Sequence, residues 1–125
     1  MFMLTAISCK MADTGISLTK LDLIQHKWTL VSREGEVLRY VGTESDYYNF
    51  SSNNVLYRSV AKRHDTSYYK LSPVDENILL LYPVIKGIKS DTATSYYINT
   101  LTATQLVVHV GTISPPITVT DSLKR

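Results

Sequence analysis

The sequence predicts an all-β fold of eight antiparallel strands with one short helix in front. Three observations carry this. From Trp28 onward, apolar and polar residues alternate with a period of two. Turn signals recur at about 8–12 residue spacing, the rhythm of a sandwich or a barrel. No stretch after Trp28 keeps helical spacing, and connections this short join antiparallel neighbours, because parallel pairing needs a crossover of about a dozen residues or more.

Composition agrees with one folded domain. The chain has 125 residues, of which 44% are hydrophobic, enough for a real core, and 19% are charged, too few for a disordered tail or a coiled coil. A net charge of +2 leaves no electrostatic footprint for nucleic acid or an anionic membrane surface. One cysteine excludes an internal disulfide and a cysteine metal cluster. No apolar run approaches the ~20 residues of a membrane-spanning helix. Nine tyrosines stand against one Trp and two Phe. Tyrosine favours strands and joins an apolar ring to a polar tip, so it either packs a sheet or lines a ligand or partner surface.

The elements follow in order. Ala6-Ile7-Ser8-Cys9 ends a short apolar run, and residues 10–15 form a polar tether. In ISLTKLDLIQHKW, Ser17 or Thr19 caps a short helix with Leu18, Leu21 and Ile24 on one face. WTLVSRE is the first strand, with Trp28, Leu30 and Ser32 on one face and Thr29, Val31 and Arg33 on the other. VLRYVG and SDYYNFSS form a long or broken second strand with Gly42 at its bulge or kink. Ser52-Asn53-Asn54 turns into NVLYRSVAK, and Arg63-His64-Asp65 turns into TSYYKLS. Pro73 to Asn77 leads to ILLLYPV, a strand apolar on both faces. A loop over Lys86 to Asp91 leads to TATSYYINTL, then QLVVHVG, and after Ser114-Pro115-Pro116 the last strand, ITVTDSLKR. This leaves residues 1–16 ahead of a β-domain that spans 17–125.

Period alone does not separate sandwich from barrel. KWTLVS, YNFSSNN, LLLYPV, INTLTATQLVV and DSLKR, in that order, resemble the bacterial lipocalin-like domain family of small calycin-type barrels, over residues 18 to 125. The resemblance implies an eight-stranded antiparallel up-and-down barrel, often secreted or lipid-anchored. The family's Gly-x-Trp is represented by His26-Lys27-Trp28, without the glycine. The wider lipocalin family packs a basic residue near the last strand across this Trp. Arg125, in phase with Ile117, Val119 and Leu123, is the matching residue, giving a Trp28–Arg125 floor pair as a cation–π contact. Ala6-Ile7-Ser8-Cys9 likewise resembles the end of a bacterial lipoprotein signal. The resemblance implies that residues 1–16 are a signal-peptide remnant and lipoprotein tether to a lipocalin-like barrel over 17–125, with lipidation of Cys9 and a location at the cell envelope: periplasm, outer membrane or cell surface.

No catalytic constellation is expected. His26, His64 and His109 lack zinc-ligand spacing, and there is no Gly-x-Ser-x-Gly elbow, P-loop or Gly-x-Gly-x-x-Gly. No cofactor or metal is therefore expected. Asp46, Asp75, Glu76 and Asp91 fall in turns. Asp121 shares a phase with apolar residues, so it is either inward near Arg125 or set at a bulge or the open barrel end. Lys62-Arg63-His64 is a basic turn, either an anion contact or a solvated tip. Strand phase gives a barrel lining of Trp28, Leu30, Tyr48, Phe50, Tyr57, Tyr69, Leu80, Tyr82 and Tyr97. The function expected is non-enzymatic binding of a small hydrophobic or amphipathic ligand inside the barrel, with membrane contact only through a lipid on Cys9 and no nucleic-acid partner. The alternative is a solid barrel that binds a protein or glycan through an exposed tyrosine-rich surface.

Overall fold

The computed structural model describes residues 19–35, 39–111 and 118–125. Along the chain run α1 (Lys20–Ile24), β1 (Lys27–Glu34), β2 (Arg39–Val41), β3 (Tyr47–Phe50), β4 (Val55–Val60), β5 (Arg63–Leu71), β6 (Ile78–Ile85), β7 (Ile88–Lys89), β8 (Thr94–Leu101), β9 (Gln105–Gly111) and β10 (Thr118–Lys124). Eight of these, β1, β3, β4, β5, β6, β8, β9 and β10, pair in chain order, and β10 pairs back onto β1. The result is a closed antiparallel up-and-down barrel with the short helix before its first strand. Closure leaves no long sheet edge. Only β2, beside the far half of β1, and β7, a two-residue strand on the end of β6, stand off the ring.

The expected second strand is broken at Gly42 into β2 and β3. A Cβ at Gly42 would lie 1.9 Å from the carbonyl oxygen of Leu30, so only glycine fits where the chain crosses β1. Its N–H donates to Val31 at 2.8 Å. The next turn is also tighter than the basic tripeptide suggests. Ala61 and Lys62 hold positive φ (52° and 67°), the signature of a two-residue primed turn, and Arg63, His64 and Asp65 are already in β5. The loop over Lys86 to Asp91 contains a second such turn at Lys86-Gly87, which pairs β7 with β6.

α1 closes one end. Thr19 caps it reciprocally with Asp22, and Ile24 is fully buried. The indole N–H of Trp28 donates to the Ile24 carbonyl at 2.9 Å. Arg125 stands over the Trp28 ring at 5.9 Å, as expected from the floor pair, and its guanidinium and backbone N–H donate to Ala103 and Thr104 at 3.0 and 3.1 Å. Above this floor Leu30, Phe50, Leu56, Tyr69, Leu79, Leu81, Leu106 and Leu123 fill the barrel, each at most 2% exposed. Phe50 meets Tyr69 edge-on at 5.1 Å. The tether, Cys9 and the cap alternative Ser17 lie outside the described residues.

Asp46 clamps the β2–β3 connection. Its carboxylate accepts from the Tyr40 hydroxyl (2.7 Å), the Thr43 N–H (2.8 Å) and hydroxyl (3.2 Å), and the Ala61 N–H (2.9 Å). Its side chain is thus spoken for by two turns, as an Asp in a turn usually is. Burial works against its charge, but the Tyr40, Thr43 and Ala61 donors prevail and hold its pKa below the ordinary carboxylate value. A folded-state pKa below the unfolded one gives stability that is present above about pH 4 and is lost as pH falls through the folded value. Asp46→Asn is expected to cost ~1–3 kcal/mol at pH 7, because it replaces the buried carboxylate that accepts from Tyr40, Thr43 and Ala61 and so removes charge-assisted hydrogen bonds. It should also flatten the fall in stability below about pH 4, as read from urea midpoints between pH 2 and 7. A parallel loss at every pH would refute the carboxylate's role.

Candidate functional site

The end of the barrel opposite α1 is polar inside, and a bulge makes it so. In β1 the register with β10 shifts between Leu30 and Ser32. The extra residue moves the strand's phase, so Trp28 and Leu30 face inward and Arg33 then does too. Arg33 stands directly opposite Asp121 of β10. Its Nε and Nη2 donate to the two carboxylate oxygens at 2.7 Å each, a bidentate pair. The Tyr48 hydroxyl of β3 donates to the same carboxylate. Asp121 is 3% exposed.

A second guanidinium stands beside the first. Arg58 of β4 lies opposite Tyr48 on β3 and Asp65 on β5. Its Nε donates to Asp65 at 2.9 Å and its Nη1 to the Tyr96 hydroxyl at 3.1 Å. The rings of Tyr48 and Tyr96 lie 5.4 and 5.5 Å from it. Two adjoining cavities of about 170 and 200 Å³ share Arg33 and Tyr96 as walls. Val60, Val108, Val110 and Val119 supply the apolar lining, and the exposed Arg63 stands at the rim. Three guanidiniums face two carboxylates, leaving one net positive charge.

Hydrogen bonds to Asp121 raise the pKa of Arg33. Burial opposes the charge on Arg58, but the oxygens of Tyr48, Tyr96 and Asp65 outweigh it and raise its pKa as well. Burial, reinforced by the Asp121 charge, pushes the Tyr48 phenol above its ordinary range, so it stays a donor. A cup built this way offers fixed positive charge and hydrogen-bond donors rather than proton transfer.

Of the expected lining, Trp28, Leu30, Tyr48, Phe50 and Tyr69 point inward and are buried core. Tyr57, Leu80, Tyr82 and Tyr97 do not: they sit on the outer wall. β4 turns Leu56, Arg58 and Val60 inward, β6 turns Leu79 and Leu81, and β8 turns Tyr96 and Ile98. In each case both phases carry apolar or aromatic residues, so alternation alone does not choose between them. Asp121 is inward but meets Arg33, since Arg125 lies at the opposite end. Lys62-Arg63-His64 divides: Arg63 reaches the cup, while Lys62 and His64 line an outer cleft with Lys27, Tyr47 and Ser59. Alternation alone missed Arg33, Arg58, Asp65 and Tyr96. The turn at Ala61-Lys62 was the available signal, because a two-residue hairpin there sets Arg58 opposite Asp65. His109 is on the outer face, stacked on Tyr97 at 5.2 Å and bonded to Asn99 at 2.8 Å. Among the described residues no three His, Cys, Asp or Glu side chains are grouped to hold a metal ion.

The geometry defines a closed eight-stranded barrel with a packed floor and an arginine-lined mouth. Comparisons with family models, curated proteins and solved structures find no match for this chain.

Breaking a buried ion pair from one side costs ~3–5 kcal/mol, whereas replacing both partners with apolar residues is close to neutral. Asp121→Asn is expected to destabilise the protein by about 3 kcal/mol. The double variant Arg33→Met/Asp121→Leu should recover most of that in urea titrations. Equal losses in both variants would mean that the charges are not what the closing seam relies on.

Proposed function

We propose that this is a non-enzymatic, lipocalin-like binding protein of the bacterial cell envelope that takes a small amphipathic ligand by its acidic head. The observation that carries the reading is the cup at the barrel mouth. Guanidiniums and the Tyr96 side chain converge there on a space walled by valines, the mix of a few placed polar groups and apolar surface that small-molecule sites use. The packed floor confines the ligand to the mouth, so it is compact rather than long-chained. Arg63 is the cation for the incoming anion, because Arg33 and Arg58 already answer to Asp121 and Asp65. The polar cup also accounts for charges inside a barrel that hydrophobic packing alone would not retain.

Calorimetry with short-chain and aromatic carboxylates and their matched alcohols tests the cup. Carboxylates are expected to bind at least about tenfold more tightly than the alcohols, a difference of ~1.4 kcal/mol. Arg63→Gln should erase that preference while leaving the urea midpoint unchanged. Equal binding of acid and alcohol, or no effect of Arg63→Gln, would overturn the reading.

The envelope location rests on the lipoprotein-like Ala6-Ile7-Ser8-Cys9. Intact-mass measurement of the protein from its native cells is expected to show a chain starting at an acylated Cys9. An unmodified chain that retains residues 1–8 would remove the anchor.

A further inference from the structure

The outer wall of the barrel is sorted by charge in a way that net composition hides. The described strands carry three carboxylates. Asp65 and Asp121 face the cup, and Glu34 is at the mouth end of β1, 3.9 Å from Arg39. Outward positions on the same strands hold Lys27, Lys70, Lys89 and Lys124 together with Tyr47, Tyr57, Tyr68, Tyr82 and Tyr97. Tyr57, Tyr68 and Tyr97 are 42–44% exposed. The wall therefore presents aromatic rings and ammonium groups almost free of acidic competitors.

The arrangement is densest on β5 and β6. Tyr68 stands directly opposite Tyr82. The ammonium of Lys89 lies 5.5 and 4.9 Å from those two rings, and that of Lys70 lies 5.9 Å from Tyr82. These groups border a cleft of about 490 Å³, which Asn54, Glu76 and Leu21 complete at the α1 end. That volume lies within the ~300–1,000 Å³ of small-ligand sites.

We propose that this Tyr68–Tyr82–Lys70–Lys89 cleft binds an acidic oligosaccharide, with its sugar faces against the tyrosine rings and its carboxylate or sulfate on the lysines. The proposal is independent of the cup. Exposed aromatic faces accept flat apolar surface without sequence demands, as they do for other ring-bearing polymers. Lys89, held over the rings by cation–π attraction, is placed to pass to an anion seated on the same surface. Glu76 and the Asn54 amide suit sugar hydroxyls, which a saccharide carries on every ring and the interior of an oligodeoxynucleotide lacks, and a net charge of +2 gives no electrostatic footprint for nucleic acid. β5 and β6 are each paired on both edges, so the cleft floor offers no free strand for a peptide to extend.

Titration of the full-length protein with trigalacturonate, a sulfated heparin-derived tetrasaccharide, neutral maltotriose, a ten-residue poly-glutamate peptide and a ten-nucleotide oligothymidine tests this. At least one of the two acidic saccharides should bind at least tenfold more tightly than maltotriose, the peptide and the oligonucleotide. Which one does so separates carboxylate from sulfate. Tyr82→Ala and Lys89→Met should each weaken that binding at least fivefold with the thermal midpoint held, since both side chains lie on the outer wall. Arg63→Gln should leave it unchanged, separating this cleft from the cup. Binding of neither acidic saccharide, stronger binding of the peptide or oligonucleotide, or wild-type affinity in both Tyr82→Ala and Lys89→Met would overturn the proposal.

Discussion

The β1–β10 seam is the constraint on which the rest of the molecule depends. A β-meander becomes a barrel only if its last strand finds its first, and here that seam is joined by an ion pair as well as by its ladder. Arg33 and Asp121 are register partners across it, and both are turned inward. The bulge between Leu30 and Ser32 makes this possible. It lets one strand present Trp28 and Leu30 to the apolar half of the barrel and Arg33 to the polar half. Without the extra residue, Arg33 would lie on the solvent face and Asp121 would be buried without its counter-ion, which a folded protein does not tolerate.

The interior is consequently layered along the barrel axis. Toward α1 it is a hydrocarbon core, sealed by the Trp28 indole bond to Ile24 and by Arg125 above the ring. Toward the mouth it is a hydrogen-bonded polar network. Tyr48 belongs to both halves: its ring lies 6.1 Å from that of Phe50, while its hydroxyl reaches Asp121. Tyrosine's split character suits a boundary of this kind. The layering also explains why the charges are affordable, since every inward charge among the described residues but Arg63, which is at the exposed rim, has a partner.

Much of the fold was legible in the chain. The strand count, a cap at Ser17 or Thr19, the Pro73–Asn77 turn and the break at Gly42 follow from local signals: period, capping chemistry and turn residues. The Trp28–Arg125 contact was expected only from the lipocalin-like resemblance, and the structure has it. The orientation of four candidate lining residues did not. VLYRSV carries Val, Tyr and Ser on one phase and Leu, Arg and Val on the other, and the second phase faces inward. An interior that is polar at one end defeats the rule that inward means apolar, because Arg58 reads as a surface residue. ILLLYPV and SYYINT fail for a related reason, as both of their phases are apolar or aromatic.

By itself, then, the sequence determined the kind of architecture: short strands, their order, where they turn, and the helix that leads into them. Those features are governed by interactions among residues close in the chain. Only the tertiary structure decided which face of each strand is inside, where the bulge falls, and that Arg33, Tyr48, Arg58, Asp65, Tyr96 and Asp121 converge. Those residues come from six strands, up to 88 positions apart. Apart from the Arg58–Asp65 pair, which the Ala61-Lys62 hairpin sets locally, their meeting depends on the registers that closure imposes all around the ring, and on that point no local pattern carries information.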